Sequence, residues 1–414
     1  MTPNQSRECF MDIVRHEWLR KNIGTFKPSC IVVKITQNCN LRCKYCYTQG
    51  GKRKKIISAD TVLKFFDQIV VDNASDICCI FHGGEPLLHP ELINEIIDKL
   101  KARYYGPRIK YQIQTNATLI TDEVIKLIKA HNISVGISAD GYKEVNDCTR
   151  YYPDGSSSYE KVEKGIKKLH ENDIPFGILV LISKYNVKHI TEILDWCKLQ
   201  GIERTGFNFF TPLGYGREED LAANVDDLIE NIKREIDWLI NNNEKEMKST
   251  RKFIYEREIE AMAGRVLDPE KCGYMCKSIP CGAGKKHLAL DVDGSINVCD
   301  CFYGMSDFVI GNINELSLNE CLNNPIIEEF QSRSIDKLKG CEGCDIKAVC
   351  HGGCPGSNVL FLKGKEGLYN KSSICDFYHE IYKYLIQKLK KERINPKLLT
   401  HVRLEKENEK VCCE

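Results

Sequence analysis

The sequence predicts an α/β protein: a layer of parallel strand–helix units followed by a smaller, cysteine-rich α+β domain. Three observations carry this. Between residues 31 and about 240, six short β-branched or apolar runs alternate with longer stretches of helical period. After Cys272 the texture changes to cysteines, glycines and short elements. The 22 cysteines fall into tight groups rather than being spread along the 414 residues. A chain of this length has room for two or three domains, each burying its own core.

Taken in order, an N-terminal segment (1–25) precedes the strand–helix layer (26–241). Strands are expected at 31–36, 77–81, 109–114, 133–139, 176–182 and 206–210. Amphipathic helices are expected at 59–71, 90–103, 122–130, 159–171, 187–199 and 226–241. Six such units in sequence argue for parallel strands with right-handed crossovers, in a partial (β/α) barrel or a doubly wound sheet. Residues 242–270 are polar and charged and read as a connecting helix. In the cysteine-rich domain (271–393), runs 287–292 and 295–298 flank Asp293-Gly294, a hairpin signal. Helices are expected at 313–323, 325–332 and 377–391. A charged tail (394–414) ends in Cys412 and Cys413. The basic run 51–55 reads as a solvated loop.

Composition narrows the function. Fifty-nine Lys+Arg against 58 Asp+Glu leave a formal charge of +1, so neither nucleic acid nor an acidic membrane is implied as a partner. The N-terminus has acidic residues and no apolar core, unlike a signal peptide. No apolar run approaches bilayer-spanning length. A soluble, cytoplasmic protein is expected. Thiols grouped at short spacing in a reducing compartment then read as metal ligands, not disulfides.

The first group, Cys39-Asn-Leu-Arg-Cys43-Lys-Tyr-Cys46, directly follows the first strand. Three thiolates so close together can wrap one small cluster while leaving one iron without a protein ligand. A zinc site with a distant fourth ligand is the bland alternative. Other polar motifs fall at successive strand ends: Gly83-Gly84-Glu85-Pro86, Gln114-Thr115-Asn116, and Ser138-Ala139-Asp140-Gly141 with Arg150 beyond. In parallel (β/α) arrangements those ends form the active face.

With an aromatic before its last cysteine, the first group resembles the radical SAM signature, and Gly83-Gly84-Glu85-Pro86 is similar to that family's GGEP motif. The resemblance implies a partial (β/α)6 TIM-type barrel. It implies a 4Fe–4S cluster on Cys39, Cys43 and Cys46 whose open iron chelates the amino and carboxylate groups of S-adenosyl-L-methionine (SAM). Reductive cleavage then yields a 5′-deoxyadenosyl radical that abstracts a substrate hydrogen. By the same resemblance Tyr45 lies near the adenine, while Gly83, Gly84 and Glu85 receive the methionine ammonium. Ser138 and Arg150 would contact the ribose and the methionine carboxylate. Asn116 joins them, although the family motif continues with glycine where this chain has Ala117.

Farther on, Cys281 and Cys299 flank Gly294 at intervals of twelve and four residues. Cys341-x2-Cys344-x5-Cys350-x3-Cys354 and Cys375 follow. This resembles the SPASM extension of radical SAM enzymes that modify peptides and proteins; Cys-x2-Cys pairs otherwise suit a zinc ribbon. The resemblance implies two auxiliary 4Fe–4S clusters, three clusters in all. Cys276, Cys281, Cys299 and Cys354 would hold one, and Cys341, Cys344, Cys350 and Cys375 the other. Cys272, Cys276 and Cys301 compete to complete the first. Asp300, directly after Cys299, matches an aspartate that serves as general base in anaerobic sulfatase-maturating enzymes. Beside an anionic cluster it would resist ionisation; a turn residue is the plain reading. Cys9, Cys30, Cys78, Cys79, Cys148, Cys197 and Cys321 read as small core residues, and His82 and His351 as bland.

The resulting expectation is a radical SAM/SPASM enzyme that matures a ribosomally made peptide by a thioether or carbon–carbon cross-link. The alternative is sulfatase maturation, oxidation of Cys or Ser to formylglycine. Asp300 favours it; Tyr47-Thr48-Gln49 lacks the aromatic-rich surroundings of those enzymes. A third reading is a non-catalytic iron–sulfur or zinc scaffold. Partners implied are a peptide or protein substrate and a low-potential donor of flavodoxin or ferredoxin type. Since only about 30 residues precede the first strand, any leader would be held by a separate leader-binding protein or by the barrel mouth.

Overall fold

The structure, a computed structural model, describes residues 29–69, 76–104, 109–217, 220–250, 252–269, 281–362 and 364–401. The six expected strands are present as β1 (Cys30–Thr36), β2 (Ile77–Gly83), β3 (Ile109–Thr115), β4 (Ser134–Ser138), β5 (Phe176–Ile182) and β6 (Arg204–Phe209). They pair in parallel in sequence order. Between them run α1 (Ala59–Ile69), α2 (Pro90–Arg103), α3 (Asp122–His131), α4 (Tyr159–Glu171), α5 (Ile190–Leu199) and α6 (Val225–Met247). Caps set their starts: Thr121 accepts from Val124 N before α3, and Asn224 accepts from Asp226 N before α6.

Every residue of β1 is buried, as expected of a parallel strand covered on both faces. Ile31, Val33 and Ile35 belong to the main core with Phe65 and Phe66 of α1. Cys30 and Val32 instead join Ala289 and Tyr303 in a separate cluster, against which Tyr47 and Ile80 pack. This second face is the inner one, shared by the sheet, the cysteine loop and the C-terminal domain.

Two features differ from expectation. The connector is not one helix: α6 runs to Met247, a short β7 (Tyr255–Glu256) pairs in parallel with β6, and α7 (Arg257–Leu267) follows. The Glu256 carboxylate causes the break, accepting from Ile259 N at 2.8 Å as the cap of α7 and from Phe207 N at 2.7 Å. Second, the hairpin of β8 (His287–Leu290) and β9 (Ser295–Asn297), expected within the cysteine-rich domain, joins the main sheet. β8 lies parallel to β1, with Cys30 opposite His287, and β10 (Val309–Asn312) extends β9. One ten-stranded sheet results, ordered β10-β9-β8-β1-β2-β3-β4-β5-β6-β7.

The rest of the C-terminal domain is built from short helices: α8 (Leu318–Leu322), α9 (Pro325–Gln331), α10 (Lys347–Cys350), α11 (Pro355–Phe361) and α12 (Cys375–Ile386). α12 docks back on the first domain. Phe377 meets Phe209 of β6 edge-on at 4.9 Å, and Tyr384 donates to Asp237 of α6 at 2.7 Å. Among the described residues no helix is long and apolar enough to cross a membrane.

Candidate active site

The loop after β1 is zipped against residues 149–151: Arg42 N donates to Tyr151 O at 2.8 Å and Lys44 N to Thr149 O at 3.0 Å. That pairing brings Arg150 to the cysteine group. Backbone amides are aimed at its sulfurs, Leu41 N at Cys39 (3.4 Å) and Gly50 N at Cys46 (3.3 Å). The β2 loop lies directly on this one. Gly84 N donates to Thr36 O and Glu85 N to Asn38 O, and a Cβ at Gly84 would stand 1.9 Å from Asn38 O. No side chain fits there.

The carboxylate of Glu85, 1% exposed, ties the strand ends together. It accepts from Leu87 N (3.0 Å), the Thr115 hydroxyl (2.7 Å) and Asn116 N (2.8 Å). Burial raises its pKa, and these three donors offset part of the rise. Asn116 donates from Nδ2 to Asn40 Oδ1 at 2.9 Å and approaches Cys39 Sγ at 3.9 Å. Ala117 has φ +61°, the left-handed backbone for which the related motif uses glycine. Ser138 Oγ accepts from Gln114 at 2.8 Å.

Arg150, 7% exposed, donates from Nη1 to the Tyr45 hydroxyl at 2.8 Å. Tyr45 in turn donates to Asp140 at 2.6 Å, and Asp140 also takes Thr149 Oγ1 (2.6 Å) and Leu181 N (3.1 Å). Tyr45 is therefore held by its hydroxyl between a guanidinium and a carboxylate. Nε of Arg150 is buried with no hydrogen-bond partner, a costly state for a charged group.

These residues fit the groups they would hold. Burial pushes the Cys43 thiol up to about 12, with Arg150 opposing, so a thiolate there needs positive charge such as iron supplies. The orphaned Nε of Arg150 beside Cys43 suits a carboxylate.

Asp300 is where the two domains meet. Its Oδ1 lies 3.0 Å from His287 Nε2 and 3.4 Å from Cys299 Sγ, and its Oδ2 accepts from Tyr47 at 3.4 Å. Tyr47 OH is also 3.5 Å from His82 Nδ1, which accepts from Gly83 N at 2.7 Å. The expected resistance of Asp300 to ionisation is not found. Burial favours the neutral acid, but His287 outweighs it and holds the carboxyl well below the usual range. His287 is opposed by burial and raised to about 10, chiefly by Cys299 and Asp300.

Among the auxiliary cysteines, Cys281 lies within electrostatic reach of Cys354 and Cys299. Cys341 senses Cys375 and Cys344, and Cys350 ends α10. Cys272, Cys276, Cys9, Cys412 and Cys413 lie outside the described residues. Cys30, Cys78, Cys79, Cys197 and Cys321 are buried and Cys148 half-buried. His351 turns the chain with φ +57° at the end of α10.

Sequence reasoning passed over Lys34. It is 3% exposed, 2.8 Å from Asp291 and 3.8 Å above the Tyr303 ring, where it binds β1 to the C-terminal domain. The signal was there: a lone lysine inside the apolar run CIVVKIT. His82 and Tyr47 were undervalued for want of any local pattern.

A parallel strand–helix layer with three cysteines at its mouth and a cysteine-rich extension is the build of a radical SAM enzyme. Family models agree: the radical SAM superfamily matches residues 33–197 and the SPASM iron–sulfur cluster-binding domain residues 281–345. The chain is a radical SAM enzyme with a SPASM domain, and its cofactors are SAM, a 4Fe–4S cluster and auxiliary iron–sulfur clusters. The non-catalytic scaffold gives way to these matches.

Among relatives, an uncharacterised protein of Methanocaldococcus jannaschii is 37% identical over 183 residues, 44% of this chain and 63% of that protein, so this match spans under two thirds of its length. A cysteine-type anaerobic sulfatase-maturating enzyme of Clostridium novyi is 27% identical over 87% of this chain and 96% of its own. A serine-type enzyme of Klebsiella aerogenes is 27% identical over 79% and 80%. The fold matches the solved structure of native anSMEcpe with bound AdoMet and Cp18Cys peptide, with TM-score 0.74 and 22% identity over 87% of this chain and 98% of that one.

Proposed function

We propose that this enzyme oxidises a cysteine or serine side chain of a peptide or protein to formylglycine. This reading displaces peptide cross-linking, which the sequence alone put first; the named relatives are sulfatase maturases of both types. The observation that carries it is Asp300, seated between Cys299 and Tyr47 where the two domains meet.

The oxidation removes two electrons and two protons from the substrate side chain. One hydrogen atom leaves Cβ, one proton leaves the thiol or hydroxyl, and one electron passes to an acceptor. From cysteine the thioaldehyde formed takes up water and releases sulfide. When bound, SAM and the clusters supply the hydrogen-abstracting radical and the electron acceptor. Asp300 takes the thiol or hydroxyl proton, held in place by His287 and Tyr47. Arg150 and Asn116 fix the cofactor side of the mouth, and the substrate loop enters beside Asp300. A low-potential flavodoxin- or ferredoxin-type donor supplies the priming electron, in a reducing compartment. No leader-binding protein is needed for a substrate recognised at its own oxidised loop.

The test is an anaerobic incubation of reconstituted enzyme with SAM, dithionite and sulfatase-type Cys and Ser peptides, read by mass spectrometry. Conversion of either to formylglycine with 5′-deoxyadenosine supports the reading. 5′-Deoxyadenosine with both peptides untouched returns cross-linking of a dedicated precursor peptide to first place.

A further inference from the structure

A ring of four thiols lies at the start of α11, two of them against Gly356. The thiols of Cys299 and Cys301 are hydrogen-bonded to each other. A Cβ built at Gly356, in the first turn of α11, would stand 2.8 Å from Cys301 Sγ and 3.6 Å from Cys354 Sγ. Cys281, in reach of both Cys354 and Cys299, closes the ring. The four come from three separate stretches of chain, and all are partly exposed and free of disulfides.

We propose that Cys301 is the fourth thiolate of the first auxiliary cluster, with Cys281, Cys299 and Cys354, and that Cys276 is not required there. This rests on the iron–sulfur reading of the domain and not on the choice of substrate. A closed 4Fe–4S cluster takes one thiolate per iron, and this ring supplies all four. A cluster so closed leaves no iron for a substrate thiol or amide. The protein then meets the substrate at this end through Asp300, held between the two ligating residues of Cys299-Asp300-Cys301, and not through metal.

The experiment compares full-length Cys301→Ala and Cys276→Ala, each reconstituted with iron and sulfide. Iron per chain and the EPR spectrum of the dithionite-reduced protein are recorded with and without cyanide, a ligand for an open iron. Cys276→Ala should keep the wild-type iron content and a cyanide-insensitive spectrum. Cys301→Ala should lose about four irons per chain or become cyanide-sensitive. Gly356→Ala keeps every thiol but pushes on Cys301 Sγ, and should alter the same signal. Should Cys301→Ala match wild type in both readouts, or Cys276→Ala show the loss instead, the assignment is overturned. Peptide turnover does not enter the readout, so failure of the formylglycine assay would leave this result standing.

Discussion

His287 Nε2 lies 3.0 Å from Asp300 Oδ1, spanning the β8–β9 hairpin to join its first strand to the residue after Cys299. Asp300 thereby has one oxygen held by the C-terminal domain and the other facing Tyr47 of the cysteine loop. His287 is a positioning residue, so its loss should uncouple the two halves of the reaction. His287→Ala should lower formylglycine formation about tenfold or more while 5′-deoxyadenosine continues to form, and His287→Gln should recover part. Asp300→Asn should cost roughly 10²–10⁴ in product on the same pattern. An equal fall in both products would mark His287 as merely structural.

Arg150 makes a second prediction. Its unpartnered Nε suits a carboxylate while Nη1 is committed to Tyr45. Arg150→Lys removes the planar fork and should weaken SAM binding roughly 10- to 150-fold, the range for a lost charged hydrogen bond. Equilibrium dialysis of the reconstituted protein reads this directly. Tyr45→Phe, which frees Nη1 without removing the charge, should have a smaller effect. Unchanged affinity in Arg150→Lys would take this residue out of the cofactor site.

The expected strands were legible because apolar runs and strand ends are local. So were the cysteine groups, whose spacing is itself the signal. What stayed hidden depended on distant pairing. β7 is two residues long and owes its place to Glu256 reaching Phe207 N. The pairing of β8 with β1 brings His287 beside Cys30, 257 residues away, and no local pattern announces it. Ala117 was noticed as a departure from a glycine motif, and the structure gives the backbone reason. The Asp300 environment was misjudged because its counter-charge, His287, comes from β8, across the hairpin.

Arg333 yields a third prediction. It is 3% exposed and donates to Leu368 O (3.0 Å) and Gly352 O (3.2 Å). Gly352 lies midway between Cys350 and Cys354. Burial lowers the Arg333 pKa, while Cys281, Cys354, Cys341 and Cys350, thiols of both auxiliary groups, act to raise it. A buried cation favours the more negative, reduced state of any cluster near it. Arg333→Met should shift both auxiliary potentials downward by tens of millivolts on the order-of-magnitude Coulomb scale, and Arg333→Lys should shift them less. Potentiometric EPR titration would show this; a shift confined to one cluster would mean the guanidinium is not shared.

Stability should fall as pH rises, because of Glu235. This residue of α6 is fully buried, and neither carboxylate oxygen has a hydrogen-bond partner. Burial, then Glu256 and Glu258, push its pKa well above the ordinary value. Glu256 is raised to about 7 by burial and Glu258, against the backbone donors it caps. A carboxyl raised in the folded state binds its proton more tightly there than in the unfolded chain. Its contribution is therefore complete below the unfolded value of 4.5 and is lost as pH climbs through the folded one. For Glu256 the loss falls between about 4.5 and 7; for Glu235 it continues higher. Glu235→Gln keeps the shape and removes the titration. Wild-type Tm should decline from pH 5 to pH 8, and the decline should be shallower in the variant, so that its relative stability improves toward pH 8. Parallel Tm profiles for the two proteins would show that Glu235 does not hold its proton in the folded state.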